Sequence, residues 1–234
     1  MSTYVILLLI LPVAGAILSG LLKKKGSDLA ALLAVGLMLI VAMYVIGTVF
    51  PGSVRQVSIS MPWVTSPAEG PLGTVPSEGH SPVNLFGYQL DPLGMLMLTV
   101  VAVLGFLVIL YAMQYIGKGN KEHPSTEGKE RHHFWMLLFV ASMVGVAISP
   151  NLLQLYIFWE LTTLTSYALI SHYHNAASLR AGFKALLITY SGGVFFAIAL
   201  VILFVNTGSF DFDALDKLEP AQRSLMFFFF MLAA

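Results

Sequence analysis

A single glutamate, Glu160, stands in the middle of the apolar run 151–171 (NLLQLYIFWELTTLTSYALIS). A run of about 20 such residues is what a membrane-crossing helix needs, and Glu160 is its tenth residue. A charge at that depth costs roughly 2.5–3.5 kcal/mol on insertion scales, so ionisable side chains there face protein or a water-filled path and have a partner. The chemistry such a residue supports is proton exchange. Burial and a neighbouring cation push a carboxyl's proton affinity in opposite directions, so a moving partner can load and unload it. Helical spacing of three, four and seven places Tyr156, Glu160, Thr163 and Tyr167 on one stripe, continued to His174. Thr162, Thr165 and Ser166 form a second stripe around the side. So many hydroxyls predict a helix packed inside protein rather than facing lipid. The competing reading is a structural glutamate, hydrogen-bonded across a helix contact.

Lys184, in the first turn of the next apolar segment, is the candidate cation, with Ser191 seven residues on along its face. A lysine one turn into a membrane can equally snorkel to the headgroups, and the two readings stand side by side. Ser191-Gly192-Gly193 lies near the middle of that helix. Paired glycines weaken a helix, so they predict a close approach to a neighbour. His132, His133, His172 and His174 fall at the ends of apolar segments. They read as interfacial residues rather than a metal site, although histidine titrates near neutrality and could feed protons. The chain has no cysteine, hence no thiolate ligand or thiol nucleophile. No phosphate loop, nucleophile elbow or zinc pattern occurs. No catalytic residue, metal ligand or cofactor site is expected.

The elements that must hold these residues are apolar helices. The chain is 57% hydrophobic and 10% charged, against roughly 25% charged in soluble domains. The formal net charge is zero, which argues against nucleic acid as a partner. Apolar segments fall at residues 4–22, 29–50, 93–116, 134–148, 152–171 and 182–206, and a seventh begins near Ser224. The first lacks a preceding basic stretch and is followed by Lys23, Lys24 and Lys25, so it reads as a retained span. Pro150 predicts a tight turn that makes the fourth and fifth segments an antiparallel hairpin. With the N-terminus outside, nine of the twelve Lys and Arg fall in cytoplasmic loops or at their membrane edge, the distribution the positive-inside rule prefers. Residues 51–91 form a long outer loop. In it, Val57, Ile59 and Met61, then Phe86, Tyr88 and Leu90, alternate with smaller or polar residues, predicting two short paired strands. Asp91-Pro92 reads as a helix cap with proline at the first helical position.

The expectation is an all-α polytopic membrane protein with six complete transmembrane helices, the start of a seventh and an outer β-hairpin-like loop. Its parts are two N-terminal helices in 1–50, the outer loop in 51–91, and helices three to seven in 92–234.

Phe158-Trp159-Glu160-Leu161, Ser166-Tyr167-Ala168-Leu169-Ile170 and Phe183-Lys184-Ala185 together give the chain a family likeness. It resembles the antiporter-like membrane subunits shared by respiratory complex I, Mrp-type cation/proton antiporters and membrane-bound hydrogenases. Asp91-Pro92-Leu93 and Pro150-Asn151-Leu152-Leu153 extend the match. It runs from about Leu90 onward and is strongest over 150–193. The resemblance implies that Glu160 is a proton-pathway residue and that Lys184 matches a lysine common at the start of the sixth helix. It also implies that the glutamate works with a lysine in a broken seventh helix of an inverted five-helix repeat, the kind of discontinuity that exposes polar backbone to an ion path. Gly192-Gly193 stands where complex I relatives often carry Gly-Asp, which is more like the Mrp and hydrogenase branches. The sequence ends at Ala234, about ten residues into the seventh segment, so another chain is expected to complete that helix.

The function expected is that of a membrane subunit, or a split part of one, in a redox-linked proton or sodium translocating complex. Glu160 and Lys184 would lie on the pathway, with Tyr156, Thr163, Ser166, Tyr167, His174 and Ser191 as secondary polar positions. Its partners would be other membrane subunits and the lipid bilayer, in a multi-pass position in the cell membrane. The alternative is a non-conducting antiporter-like module that anchors its neighbours.

Overall fold

The computed structural model describes residues 2–22, 25–49, 57–61, 86–116 and 128–233. Most of the loop 51–91, the loop 117–127, Trp63 and the basic residues Lys23, Lys24, Arg55, Lys118 and Lys121 lie outside the described residues. The chain runs α1 (Ser2–Leu21), α2 (Lys25–Val49), β1 (Val57–Met61), β2 (Phe86–Leu90), α3 (Pro92–Tyr115), α4 (Lys129–Ala147), α5 (Leu152–Ile170), α6 (Ala176–Thr207) and α7 (Pro220–Ala233). A short 3-10 turn, Phe212–Lys217, links the last two helices.

Side-chain caps fix three of the helix starts, each occupying a backbone N–H that has no partner within its helix. The Asp91 carboxylate accepts from Gly94 N at 2.5 Å with Pro92 behind it. Asn151 Oδ1 accepts from Gln154 N at 2.7 Å, and Asn175 Oδ1 from Ser178 N at 2.7 Å. The Asn175 cap explains why α6 begins at Ala176, six residues before the apolar run expected to open it. Similarly, α7 begins at Pro220 rather than near Ser224. Proline suits a first helical position, and the Arg223 guanidinium holds the preceding turn by donating to Asp216 O at 3.0 Å.

Helix α4 is the joint of the molecule. It packs on α1 and α3 to one side and on α5 to the other, and α5, α6 and α7 then follow in a row. One core gathers Leu8, Met38, Leu98 and Val144 from α1 to α4, with Tyr88 and Leu90 of β2. A second gathers Leu152, Phe196, Leu200, Leu203 and Met226 from α5 to α7. The turn at Pro150 makes α4 and α5 an antiparallel hairpin: the Phe158 ring lies over Gly145 where any side chain would collide with it. At the hairpin's far end, Arg131 donates to His172 O at 2.6 Å.

The two strands pair antiparallel, Val57 opposite Leu90 and Ile59 opposite Tyr88. Strand β2 is fastened to the α4–α5 turn, with Gln89 N donating to Ile148 O at 2.8 Å. Gln154 grips it again: its side-chain oxygen accepts from Gly87 N at 2.9 Å and its NH2 donates to Gly87 O at 3.0 Å.

Among the described residues, four helices are long and apolar enough to cross a membrane, over Thr3–Leu21, Lys25–Thr48, Pro92–Tyr115 and Ala176–Thr207. Helices α4 and α5, each 19 residues, carry the polar side chains. The basic first turn of α4 and the hydroxyl-rich body of α5 are what set these two apart in apolar character.

Candidate functional site

The site is built where α5 crosses α6. The two helices run antiparallel, Tyr167 and Ser171 lying against Gly182, Glu160 against Gly193, and Tyr156 with Trp159 against Phe196. The aromatic contacts are edge-to-face, with centroids 5.4 Å apart for Tyr156–Phe196 and 6.0 Å for Trp159–Phe196. Such pairs hold ring orientation as well as area.

Gly193 makes the pocket for the carboxylate. A Cβ built on Gly193 would overlap Glu160 Oε1, so only glycine leaves that volume to the acid. Gly192 serves the opposite neighbour, where a Cβ would press on Ala233 O of α7 at 2.7 Å. The glycine pair is therefore a close-packing device with two faces, one toward α5 and one toward α7. Among the described residues, Glu160 Oε1 is buried without a hydrogen-bond partner. A buried carboxylate oxygen in that condition is costly.

The nearby threonines do not relieve it, because each bonds its own helix. Thr163 Oγ1 lies 3.5 Å from Trp159 O, Thr165 Oγ1 donates to Leu161 O at 2.8 Å, and Ser171 Oγ donates to Tyr167 O at 2.7 Å. Of the positions singled out in the sequence, Tyr156, Glu160 and Tyr167 come together along α6, with Thr163 buried on the same helix and Ser166 half-buried beyond it. Lys184, Ser191 and His174 do not join them. Lys184 precedes Gly193 by nine residues, which on an α-helix is about 13 Å along the axis and half a turn around it. It is exposed on the side of α6 away from α5, as is Ser191, whose hydroxyl donates to Ile188 O at 2.7 Å. His174 is exposed in the loop after α5, in a left-handed conformation with φ 50°.

A second charged centre, not singled out in the sequence, closes the other end of the helix row. Asp28, in the first turn of α2, pairs through Oδ2 with Lys129 Nζ of α4 at 2.7 Å, and Lys129 also donates to Met113 O at 2.7 Å. The Asp28 Oδ1 oxygen lies 3.5 Å from His133 Nε2. His133, which the sequence places at the end of an apolar segment, is fully buried where α4 meets α2. His132 stacks edgewise on His172 at 5.2 Å and on His133 at 5.9 Å. Burial, helped by the facing His172 and His133, pushes His132 down to about 3. Burial likewise lowers His172, with Arg131 the next contributor. The available signal was the i, i+4 spacing of Lys129 and His133 together with Asp28, the acid between the first two spans. An acid at a helix N-terminus is ordinary, which hid its second role.

Comparison with known proteins converges on one kind of membrane subunit. Residues 149–234 match a family model described as NADH:quinone oxidoreductase/Mrp antiporter, transmembrane, and residues 82–123 one described as NADH-ubiquinone oxidoreductase (complex I), chain 5 N-terminus. A putative antiporter subunit mnhA2 of Staphylococcus aureus strain MRSA252 is 27% identical over 212 residues, covering 89% of this chain and 24% of that protein. The corresponding subunit of Staphylococcus haemolyticus is 34% identical over 128 residues, covering 54% of this chain and 15% of that one. The chain thus spans about a quarter of the length of the curated relatives it matches. In fold it is similar to a chain of the membrane-bound sulfane sulfur reductase, an archaeal respiratory membrane complex, with TM-score 0.75 at 17% identity over 98% of this chain and 43% of that chain. It is also similar to a chain of the Mrp complex from Dietzia sp. DQ12-45-1b, with TM-score 0.72 at 23% identity over 98% of this chain and 23% of that chain. These matches bear out the resemblance that the motifs around Glu160 carried.

Proposed function

We propose that this chain of the antiporter-like membrane-subunit family holds Glu160 as a proton-exchanging site inside a half-channel of a multi-subunit, redox-linked proton or sodium translocating complex. Supporting this reading is one observation above the others: the Glu160 carboxylate fills the space left by Gly193, with a buried oxygen that no neighbouring hydroxyl serves. A structural glutamate would be expected to spend that oxygen on a hydrogen bond across the helix contact. An oxygen without one keeps its affinity for a proton or a passing water chain.

In this reading α1 to α6 are complete spans in a bacterial plasma membrane with the N-terminus outside, and α7 begins a further one. The hydroxyl-rich α5 lies inward, while the exposed apolar faces of α2, α3 and α6 meet lipid or neighbouring subunits. Lys184 stands half a turn away from the Glu160 contact, which suits a cation directed toward a neighbouring subunit rather than a direct ion pair. The cation that drives proton release from Glu160 then comes from a helix packed beside α5 and α6, supplied by the rest of the subunit or by another one. The electron chemistry, where present, belongs to other subunits.

The test is Glu160→Gln in the assembled complex, followed as proton and sodium uptake into sealed vesicles with assembly checked on the same preparation. Transport reduced at least tenfold with assembly intact supports the reading. Unchanged transport overturns it and leaves this chain as a scaffold.

A further inference from the structure

The cluster at the opposite end of the row contains an arrangement of lone pairs that calls for one proton. His133 Nδ1 lies 2.8 Å from Lys129 O. A carbonyl oxygen can only accept, so Nδ1 carries the hydrogen and donates it. In the neutral ring, Nε2 is then an acceptor, and it points at Asp28 Oδ1 from 3.5 Å. Both atoms are buried and, among the described residues, neither has a hydrogen-bond partner. The other Asp28 oxygen is already committed to Lys129 at 2.7 Å. Two acceptors therefore face each other in a site where ring and carboxylate are each fixed by a second contact.

We propose that His133 and Asp28 form a proton-binding site that joins α2 to α4, on the side the proposed orientation assigns to the cytoplasm. The balance is simple. A proton from bulk water adds to the Nε2 lone pair, no bond to carbon changes, and the site gains one positive charge. The new N–H donates to Asp28 Oδ1, so a repulsive pair of acceptors becomes a charge-assisted hydrogen bond. Asp28 then lies between two cations, the imidazolium and the Lys129 ammonium.

The groups that set its affinity come from every described element around it. From α2 comes Asp28. From α4 come Lys129, Glu130, Arg131 and His132, and from the turn after α5 comes His172, which stacks on His132. From helix α3 comes the Met113 carbonyl, bound by Lys129. Burial holds the His133 ring below the ordinary histidine range, the carbonyl bond and Asp28 oppose that lowering, Lys129 adds to it, and Glu130 opposes it. The site thus loads on the acid side of neutrality. Water reaches it from the edge, since the Asp28 and Lys129 side chains keep 18% and 12% of their surface exposed. A groove lined by Leu21, Glu130, Arg131, Phe134 and Trp135 opens at the same end.

This site stands independently of Glu160, and its test reads no transport. The full chain, with nitrogen-15 in its histidine rings, is reconstituted in nanodiscs and titrated through the mildly acidic range by NMR, with His133 assigned by loss of its signals in His133→Gln. The expected result at neutral pH is an Nδ1–H tautomer that gains a proton at Nε2 in one step on acidification. Asp28→Asn should lower the midpoint by a unit or more, about tenfold or more in proton affinity, because it removes the charge and offers an NH2 donor to the neutral ring. Lys129→Met should raise it. Opposite shifts from two partners of one ion pair are not what a purely structural contact gives, since either substitution would simply loosen it. An Nε2–H tautomer at neutral pH, or a midpoint unmoved by both substitutions, overturns the proposal.

Discussion

Asp28 and Glu160 are both partly buried carboxylates of a helical membrane protein, and they are treated in opposite ways. Asp28 has Lys129 at 2.7 Å on one oxygen and His133 facing the other, within a junction of α2, α3 and α4. Glu160 has an aromatic ring pair on one flank, a glycine on the other, and a buried oxygen without a hydrogen bond among the described residues. The first acid is held by charges from neighbouring helices and ties those helices together. The second is accommodated by the absence of a side chain at Gly193. Position explains the difference. A carboxylate near the solvent edge keeps a permanent partner cheaply, whereas under the proposed function a permanent partner at mid-depth would fix the charge that Glu160 exchanges.

The largest effect that would sharpen this contrast is on transport. Glu160→Gln should reduce ion uptake at least tenfold without loss of assembly, whereas Asp28→Asn should leave more than half of it. Equal losses from the two would erase the distinction. Gly193→Ala comes next. Its methyl group would overlap Glu160 Oε1, and overpacking of this kind costs about 1–3 kcal/mol, so uptake should fall several-fold with a lowered thermal midpoint. Gly193→Ala with wild-type uptake would show that the carboxylate has room elsewhere.

Smaller effects belong to stability. Lys129→Met leaves a part-buried Asp28 without its cation and should cost about 1–2 kcal/mol, read as a drop in thermal midpoint in detergent. Gln154→Ala removes both bonds to Gly87 and should cost about 1–2 kcal/mol, seen as faster amide exchange in β2 while α1 and α2 are unchanged. The pH dependence is gentlest. His132 is pushed down to about 3, and His133 and His172 are lowered from the ordinary value of 6.5. A lowered pKa means that the unfolded chain binds the proton more readily, so the stability these rings contribute is fully present above pH 6.5. It declines as pH falls below that value, for His132 down to about pH 3. A thermal midpoint that rises on acidification from pH 7 to pH 5 would contradict the burial of the three rings.

Much of this was legible in the sequence because the signals were local. Glu160 in an apolar run, the Asp91-Pro92 cap, the Pro150 turn and the alternation in 57–61 and 86–90 each specify structure within a few residues. Gly192-Gly193 announced a close approach, though which neighbour took which glycine needed the packing of α5 and α7. What stayed hidden was long-range. Asp28 and Lys129 are 101 residues apart, and nothing in either neighbourhood says that α2 and α4 meet. Lys184 shows the converse. Its place in the sequence suggested a partner for Glu160, but nine residues of helix separate it from Gly193 and turn it to the other face.

The measurement that tests the central contrast most directly is infrared difference spectroscopy of the intact protein in lipid, stepped in pH, with Glu160→Gln and Asp28→Asn beside the wild type. Proton exchange at Glu160 should give a carboxylic-acid C=O band that comes and goes with pH, is absent in Glu160→Gln and persists in Asp28→Asn. A wild-type spectrum with no such band, or a band that vanishes only in Asp28→Asn, would contradict the assignment of the exchangeable proton to Glu160.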